Sequence, residues 1–295
     1  MPLSRQRAVF TGVARDCAGH IPGVLENLAR FAALYGDAQF VFAISHSTDK
    51  SRFILERWMA SRRGHFIDLG VLADRLPRRT ERIAFARNAC LDEIRRSDAA
   101  THDHLVVADL DDVMASPVPA DGFLEAARWL DGGTARAGVF ANAAPSYYDI
   151  WALRHDAWCA GDCWHAIWSR NPAESFEAAK FREVFAQQIA IPTWLAPISV
   201  RSAFGGLGLY KARYTFAARY CGIDEQGREV SEHVAFNRDI GRVGGEFCIF
   251  PPLQVCAPRE HLYCASEFSW RWRLVMLYRR AAERLRPAWR AQLAR

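Results

Sequence analysis

Over the first 145 residues, apolar runs of strand length alternate with segments of helical period. This β-α-β-α-β pattern most narrowly limits what the chain can fold into. AVFTGVA (8–14), QFVFAIS (39–45), HFIDLG (65–70), HLVVADL (104–110) and AGVFANA (137–143) read as strands. Between them lie helices expected at 22–36, opened by Pro22 and closed by Gly36, at 51–62, at 80–96 and near 122–130. In the 80–96 helix, Ile83, Ala86, Cys90 and Ile94 make the apolar stripe. The expected fold is α/β, a Rossmann-like, mostly parallel sheet flanked by helices and joined by right-handed crossovers. Beyond about residue 144 the sequence turns aromatic and irregular, and we read that part as completing the same domain.

In such sheets ligands bind beyond the carboxyl ends of the strands. Polar clusters follow four of these ends: Arg15-Asp16, the stretch 45–51, Asp109 to Asp112, and Asn142 onward. The sharpest is VVADLDDVMA (106–115), where a buried-looking strand stops at Asp109, Asp111 and Asp112. Two carboxylates two residues apart at a strand end can face one point, and a hard divalent cation, Mg²⁺ or Mn²⁺, would relieve their repulsion. A solvated acidic loop or a helix cap is the plainer alternative.

The order ARD, SHSTDKS, TERIAFARN and DLDD resembles the glycosyltransferase A fold, and more narrowly the capsule-associated, fungal-type mannosyltransferases of glycosyltransferase family 69. YYDIWALRHD (147–156), VRSAFGGLGLYKA (200–212) and EHVAFN (232–237) fall in the same order. The resemblance runs from about residue 9 to 258 and departs from the family at 44–46. It implies a hexosyltransferase using a nucleotide sugar, with mannose from GDP-mannose and retention as the finer reading. The acceptor would be a glycan or a lipid-linked glycan. On this reading Asp109 and Asp111 hold the metal with His233 as third ligand, and Asp112 touches the sugar or supports the metal shell. Arg15 and Asp49 grip base and ribose, while Arg82, Arg87 and Asn88 face the diphosphate.

YYDIWALRHD mixes aromatic faces with carboxylates and an arginine, the blend that pyranose sites use. Asp149, Trp151 and Arg154 are its candidate contacts. Glu232 is a candidate general base, and both Glu232 and His233 also suit the first turn of a helix. FGGLG (204–208) reads either as a turn or as a loop bringing backbone close to a ligand. A glycan- or nucleotide-binding protein on a degenerate transferase fold is the alternative function. A nucleotidyltransferase is disfavoured, because no glycine-rich phosphate loop follows the first strand.

The eight cysteines are irregularly spaced and read as reduced thiols. CAGDCWH (159–165) lacks the second ligand pair that a zinc site needs. With no apolar span and no signal-peptide pattern, the expected location is cytoplasmic, peripheral on the inner face of the membrane. Net charge is +5, yet 267–295 holds eight arginines against Glu267 and Glu283, a balance of +6, which leaves −1 for the rest. Two regions follow: a transferase domain at 1–266 and a basic aromatic helical tail at 267–295. The tail suits an anionic membrane surface. Nucleic acid is disfavoured, since no basic groove accompanies the tail.

Overall fold

A computed structural model describes residues 2–263. The chain divides into a unit spanning Met1–Pro258 and a second spanning Arg259–Arg295. The expected tail helix at 267–295 lies outside the described residues.

The first unit is built on one eight-stranded sheet, and its elements in chain order are as follows. β1 (Arg7–Ala14), α1 (Ile21–Ala32), β2 (Asp37–Ile44), α2 (Ser51–Met59), β3 (Gly64–Asp68) and α3 (Arg79–Arg96) come first. β4 (His104–Ala108), α4 (Ala120–Asp131), β5 (Arg136–Ala144), α5 (Cys163–Trp168) and α6 (Phe176–Glu183) follow. The chain continues through β6 (Ile198–Val200), β7 (Leu207–Lys211), α7 (Ala212–Thr215), α8 (Glu232–Arg242) and β8 (Glu246–Cys256). The strand order is β3-β2-β1-β4-β7-β5-β8-β6. β3, β2, β1 and β4 run parallel, as do β5 and β8, whereas β7 is antiparallel to both β4 and β5. β6 closes the far edge, antiparallel to β8.

β4 is buried throughout and β1 and β5 almost so, as expected of strands covered by helices on both faces. That burial is why they read as continuous apolar runs. The strands and helices expected over residues 8–143 are all present; α1, α2, β3 and β4 end earlier than expected, whereas β1, α3, α4 and β5 extend one or two residues past an expected end. α1 stops at Ala32, because Leu34 and Tyr35 donate to the carbonyls of Phe31 and Ala32, tightening the last turn. α2 ends at Met59 in the same way, with the Arg62 amide donating to the Met59 carbonyl. β4 ends at Ala108 rather than Leu110, since Asp111 already caps a 3₁₀ turn over Asp112–Met114.

The buried face of α3 also differs from the expected stripe. Ala84, Ala86, Cys90, Leu91 and Ile94 are buried, Ile83 is only partly so, and Arg87 lies in the middle of that face. A guanidinium there needs partners, and these come from distant elements. Among the described residues no helix is long and apolar enough to cross a membrane.

Candidate functional site

The carboxyl ends of β1, β4 and β5 carry polar residues, and β7 starts beside them. Asp109 is the first residue past β4, and its backbone amide donates to the Gly206 carbonyl at 2.8 Å. Gly205 and Gly206 precede β7 with φ of 67° and 87°. A Cβ on Gly206 would lie 2.3 Å from Val113 Cγ1, so both the dihedral and the space demand glycine. FGGLG is therefore a tight turn that also brings backbone to the acids. The Gly205 amide donates to Asp149 Oδ2 at 3.0 Å, and the Ala152 amide donates to Asp149 Oδ1 at 3.3 Å.

Arg87 lies behind these acids, 5% exposed. Its Nη2 donates to Asp109 Oδ1 at 2.7 Å and its Nε to Glu232 Oε1 at 2.9 Å. Its Nη1 is buried with no hydrogen-bond partner. The guanidinium stands over the rings of Phe204 and Tyr220, at 5.1 and 5.8 Å from their centroids. Burial alone would lower the Arg87 pKa, but Asp109 and Glu232 together hold it above the ordinary value. Asp109 and Glu232 thus share one guanidinium, and Asp111 adds a third carboxylate with no ion-pair partner among the described residues, so acids outnumber cations here.

That surplus has a titration signature. Burial first, and then the neighbouring Asp111 charge, push Asp109 up to about 7. Asp111 is raised by burial and by Asp112. Asp149, desolvated and without a cation, is pushed up to about 6 despite its two backbone donors. Burial raises the Tyr148 phenol as well, followed by the charges of Asp149 and Asp109, which places Tyr148 among the acids. The oxygen-only donor set and the excess of carboxylates fit a hard divalent cation held by Asp109 and Asp111, with further ligands from a phosphorylated substrate. His233 does not complete such a set: among the described residues no three His, Cys, Asp or Glu side chains are grouped to hold a metal. Its ring stacks on Phe204 with centroids 3.7 Å apart and lies edge-on to Tyr220. Burial, then Arg87, pushes its pKa well below the ordinary value, so the imidazole is neutral.

A second cluster joins the ends of β1 and β2. Asp16, at φ 48°, accepts from the Thr48 amide at 2.6 Å and the Thr48 hydroxyl at 3.1 Å, and its own amide donates to Ser47 Oγ. Asp49 accepts from the amides of Ala18 and Ser51, both at 2.9 Å. Asp49 therefore ties two loops together and opens α2, while Arg15 projects beside Asp16 with its side chain 54% exposed.

The other expected residues stand apart from the acids' hydrogen bonds. Arg82 donates to the carbonyls of Leu76 and Pro77, bracing the loop before α3. Asn88 bonds the backbone of Tyr220 in both directions. Arg154 is paired with Asp162 at 2.7 Å and donates to two carbonyls, which consumes its fork. Trp151 packs edge-on to Trp164, and its buried Nε1 has no hydrogen-bond partner. Asp112 opens the 3₁₀ turn, half-buried beside Asp111. Cys159 and Cys163 are free, as are all seven described cysteines. Sequence reasoning singled out the stretches that hold Tyr148 and Phe204 without naming these side chains, and it missed Tyr220, which nothing around it in the sequence signals.

No protein-family model matches the chain, and no curated protein matches it in sequence. Solved structures do match in shape. A mannosyltransferase from Pyrobaculum calidifontis, in complex with GDP-Man and Mn²⁺, aligns with a TM-score of 0.50 at 15% identity, covering 88% of this chain and 60% of that one. TarS 1-349 of S. aureus aligns with a TM-score of 0.50 at 10% identity, covering 85% and 60%. The chain spans about 60% of the length of either. At these identities the likeness concerns architecture, and the mixed sheet with its flanking helices is the glycosyltransferase A fold.

Proposed function

We propose that the protein is a metal-dependent glycosyltransferase that moves a hexose from a nucleotide sugar to a glycan or lipid-linked acceptor. The observation that carries this reading is the Asp109–Asp111 pair set against a buried guanidinium with one unpartnered donor, Arg87 Nη1. An orphaned charged donor beside two carboxylates suits an anion that arrives with its own cation, as a nucleoside diphosphate does. Asp109 and Asp111 would hold Mn²⁺ or Mg²⁺, which when bound neutralises the diphosphate leaving group. Arg87 supplies a fixed positive charge to the same phosphate oxygens.

Around this centre, Arg15, exposed and paired with Asp16 at 3.3 Å, would reach a nucleobase or ribose from the mouth of the stitched β1–β2 loops. Asp112, Tyr148 and Asp149 supply hydrogen-bonding groups for sugar hydroxyls. Mannose from GDP-mannose is the finer donor reading; it rests on the sequence resemblance and accords with the ligand named for the Pyrobaculum enzyme. Docking of the arginine-rich tail on anionic lipid would bring the site to a lipid-linked acceptor.

The test is a thermal-shift panel of GDP, UDP and other nucleoside diphosphates, each with Mn²⁺ and with chelator. A ligand that binds the folded state raises its melting temperature by mass action. A metal-dependent shift with one nucleotide supports the reading and names the donor class. Binding without release of nucleoside diphosphate from the sugar nucleotide favours a binding protein on this fold, and no shift at all overturns the proposal.

A further inference from the structure

The geometry points to Glu232 as a positioning residue that acts through Arg87, not as the base that takes the acceptor proton. This inference rests on the nucleotide-sugar reading of the site. Glu232 is 7% exposed in the first turn of α8. Its Oε1 accepts from Arg87 Nε at 2.9 Å and lies 3.4 Å from His233 Nε2. A general base must reach the proton it abstracts, and this carboxylate faces the guanidinium instead.

The guanidinium needs such an anchor. Its Nη2 is already drawn to Asp109 at 2.7 Å, and one contact would let the planar fork swivel. The second contact, from Nε to Glu232, fixes the plane. Phe204 and Tyr220 close over it, and His233 fills the space behind Phe204. Nη1 is then the one guanidinium nitrogen without a partner, buried beside the acids. In this arrangement α8 contributes orientation, while α3 contributes the positive charge held against Asp109.

Three readouts test the assignment. The first is the side-chain Nε–H resonance of Arg87 in ¹⁵N NMR, which needs no substrate. Glu232→Gln keeps an acceptor oxygen and should retain a slowly exchanging signal, whereas Glu232→Ala should lose it. The second is GDP or UDP affinity in the presence of Mn²⁺, by calorimetry. Affinity should fall about three- to fivefold for the glutamine variant and about ten- to a hundredfold for the alanine variant, the span of one charged hydrogen bond. Neither change should cost anything further in an Arg87→Ala background.

The third readout is the pH profile of turnover, which both Glu232 variants should leave unchanged in shape. The opposite pattern overturns the inference: both variants losing kcat equally, by about a hundred- to ten-thousandfold, with one limb of the profile gone and nucleotide affinity intact. A wild-type protein that binds no nucleoside diphosphate overturns the underlying functional reading instead. In that case the NMR comparison alone still decides whether Glu232 fixes Arg87, and loss of the signal in neither variant would refute it.

Discussion

Asp149 and Asp109 are held by the two ends of one glycine pair: Asp149 accepts the Gly205 amide at 3.0 Å, and the Gly206 carbonyl accepts the Asp109 amide at 2.8 Å. The acid at the end of β4 and the acid of the aromatic loop are thereby set in register by backbone. This makes the turn as much a part of the site as the carboxylates, and it gives the first prediction.

Gly206→Ala should destabilise the protein by about 2–4 kcal/mol, adding a left-handed non-glycine residue to an overpacked contact with Val113. Because the Asp109 amide hangs on the same turn, Mn²⁺ affinity should fall with it. Urea unfolding and metal titration of the purified variant check both parts.

Asp111→Asn should leave the fold intact and reduce metal-dependent transfer by at least about a hundredfold, since even outer-shell partners of a metal are worth about 10–100-fold. Circular dichroism alongside a nucleoside-diphosphate release assay measures this. Near-normal turnover would remove Asp111 from the metal assignment.

The raised carboxylates set a pH dependence whose direction follows from linkage. An unfolded aspartate ionises near about 3.9, whereas Asp109 in the folded protein holds its proton up to about 7. The folded state therefore binds more protons in that window, and this group's contribution to stability declines as pH rises from about 4 to about 7, then stays level. Asp149 acts in the same sense up to about 6. Asp109→Asn should consequently gain stability relative to wild type as pH rises from about 4 to about 7 in metal-free buffer. Metal affinity should rise over the same range, because the ligand must shed its proton. Paired melting curves at pH 5 and pH 8, with and without Mn²⁺, read both effects.

Arg87→Ala should cost about 3–5 kcal/mol, the usual price of leaving buried charges unpaired, here Asp109 and Glu232. Arg87→Lys keeps the charge without the fork, so it should be less destabilising yet still impair nucleotide binding. Denaturant melts and calorimetry of the two variants separate these effects.

On the proposed membrane role, removing 268–295 should release the protein from anionic liposomes while nucleotide binding persists. Undiminished flotation of the truncated protein with the vesicles would dispose of the membrane role.

The first half of the fold was legible because physics writes it plainly in sequence. Strands buried on both faces, such as Leu105 to Ala108, must be apolar throughout, and a sudden Asp109 at their end has few structural excuses. β7 was not legible as the strand between β4 and β5, since no local pattern reports which distant strand will insert there. The same limit governs the site. Arg87 stood out as an arginine preceding the acids, but its partner Glu232 comes from α8, 145 positions on. Arg82, Asn88 and Arg154 read as ligand contacts because a polar side chain looks the same in sequence whether it meets a phosphate or a carbonyl. Only the structure distinguishes an arginine tied to the carbonyls of Leu76 and Pro77 from one fixed between two carboxylates.

The insertion of β7 also dictates when the site can exist. β4 and β5 are consecutive strands, yet they meet only through a strand made of residues 207–211. During synthesis both wait as open edges, exposed to pairing with other chains, until that segment arrives. Loop-closure entropy makes such distant pairings slow. The acids at the end of β4 are translated early but acquire their neighbours late, so the carboxylate cluster should be among the last features a refolding molecule recovers.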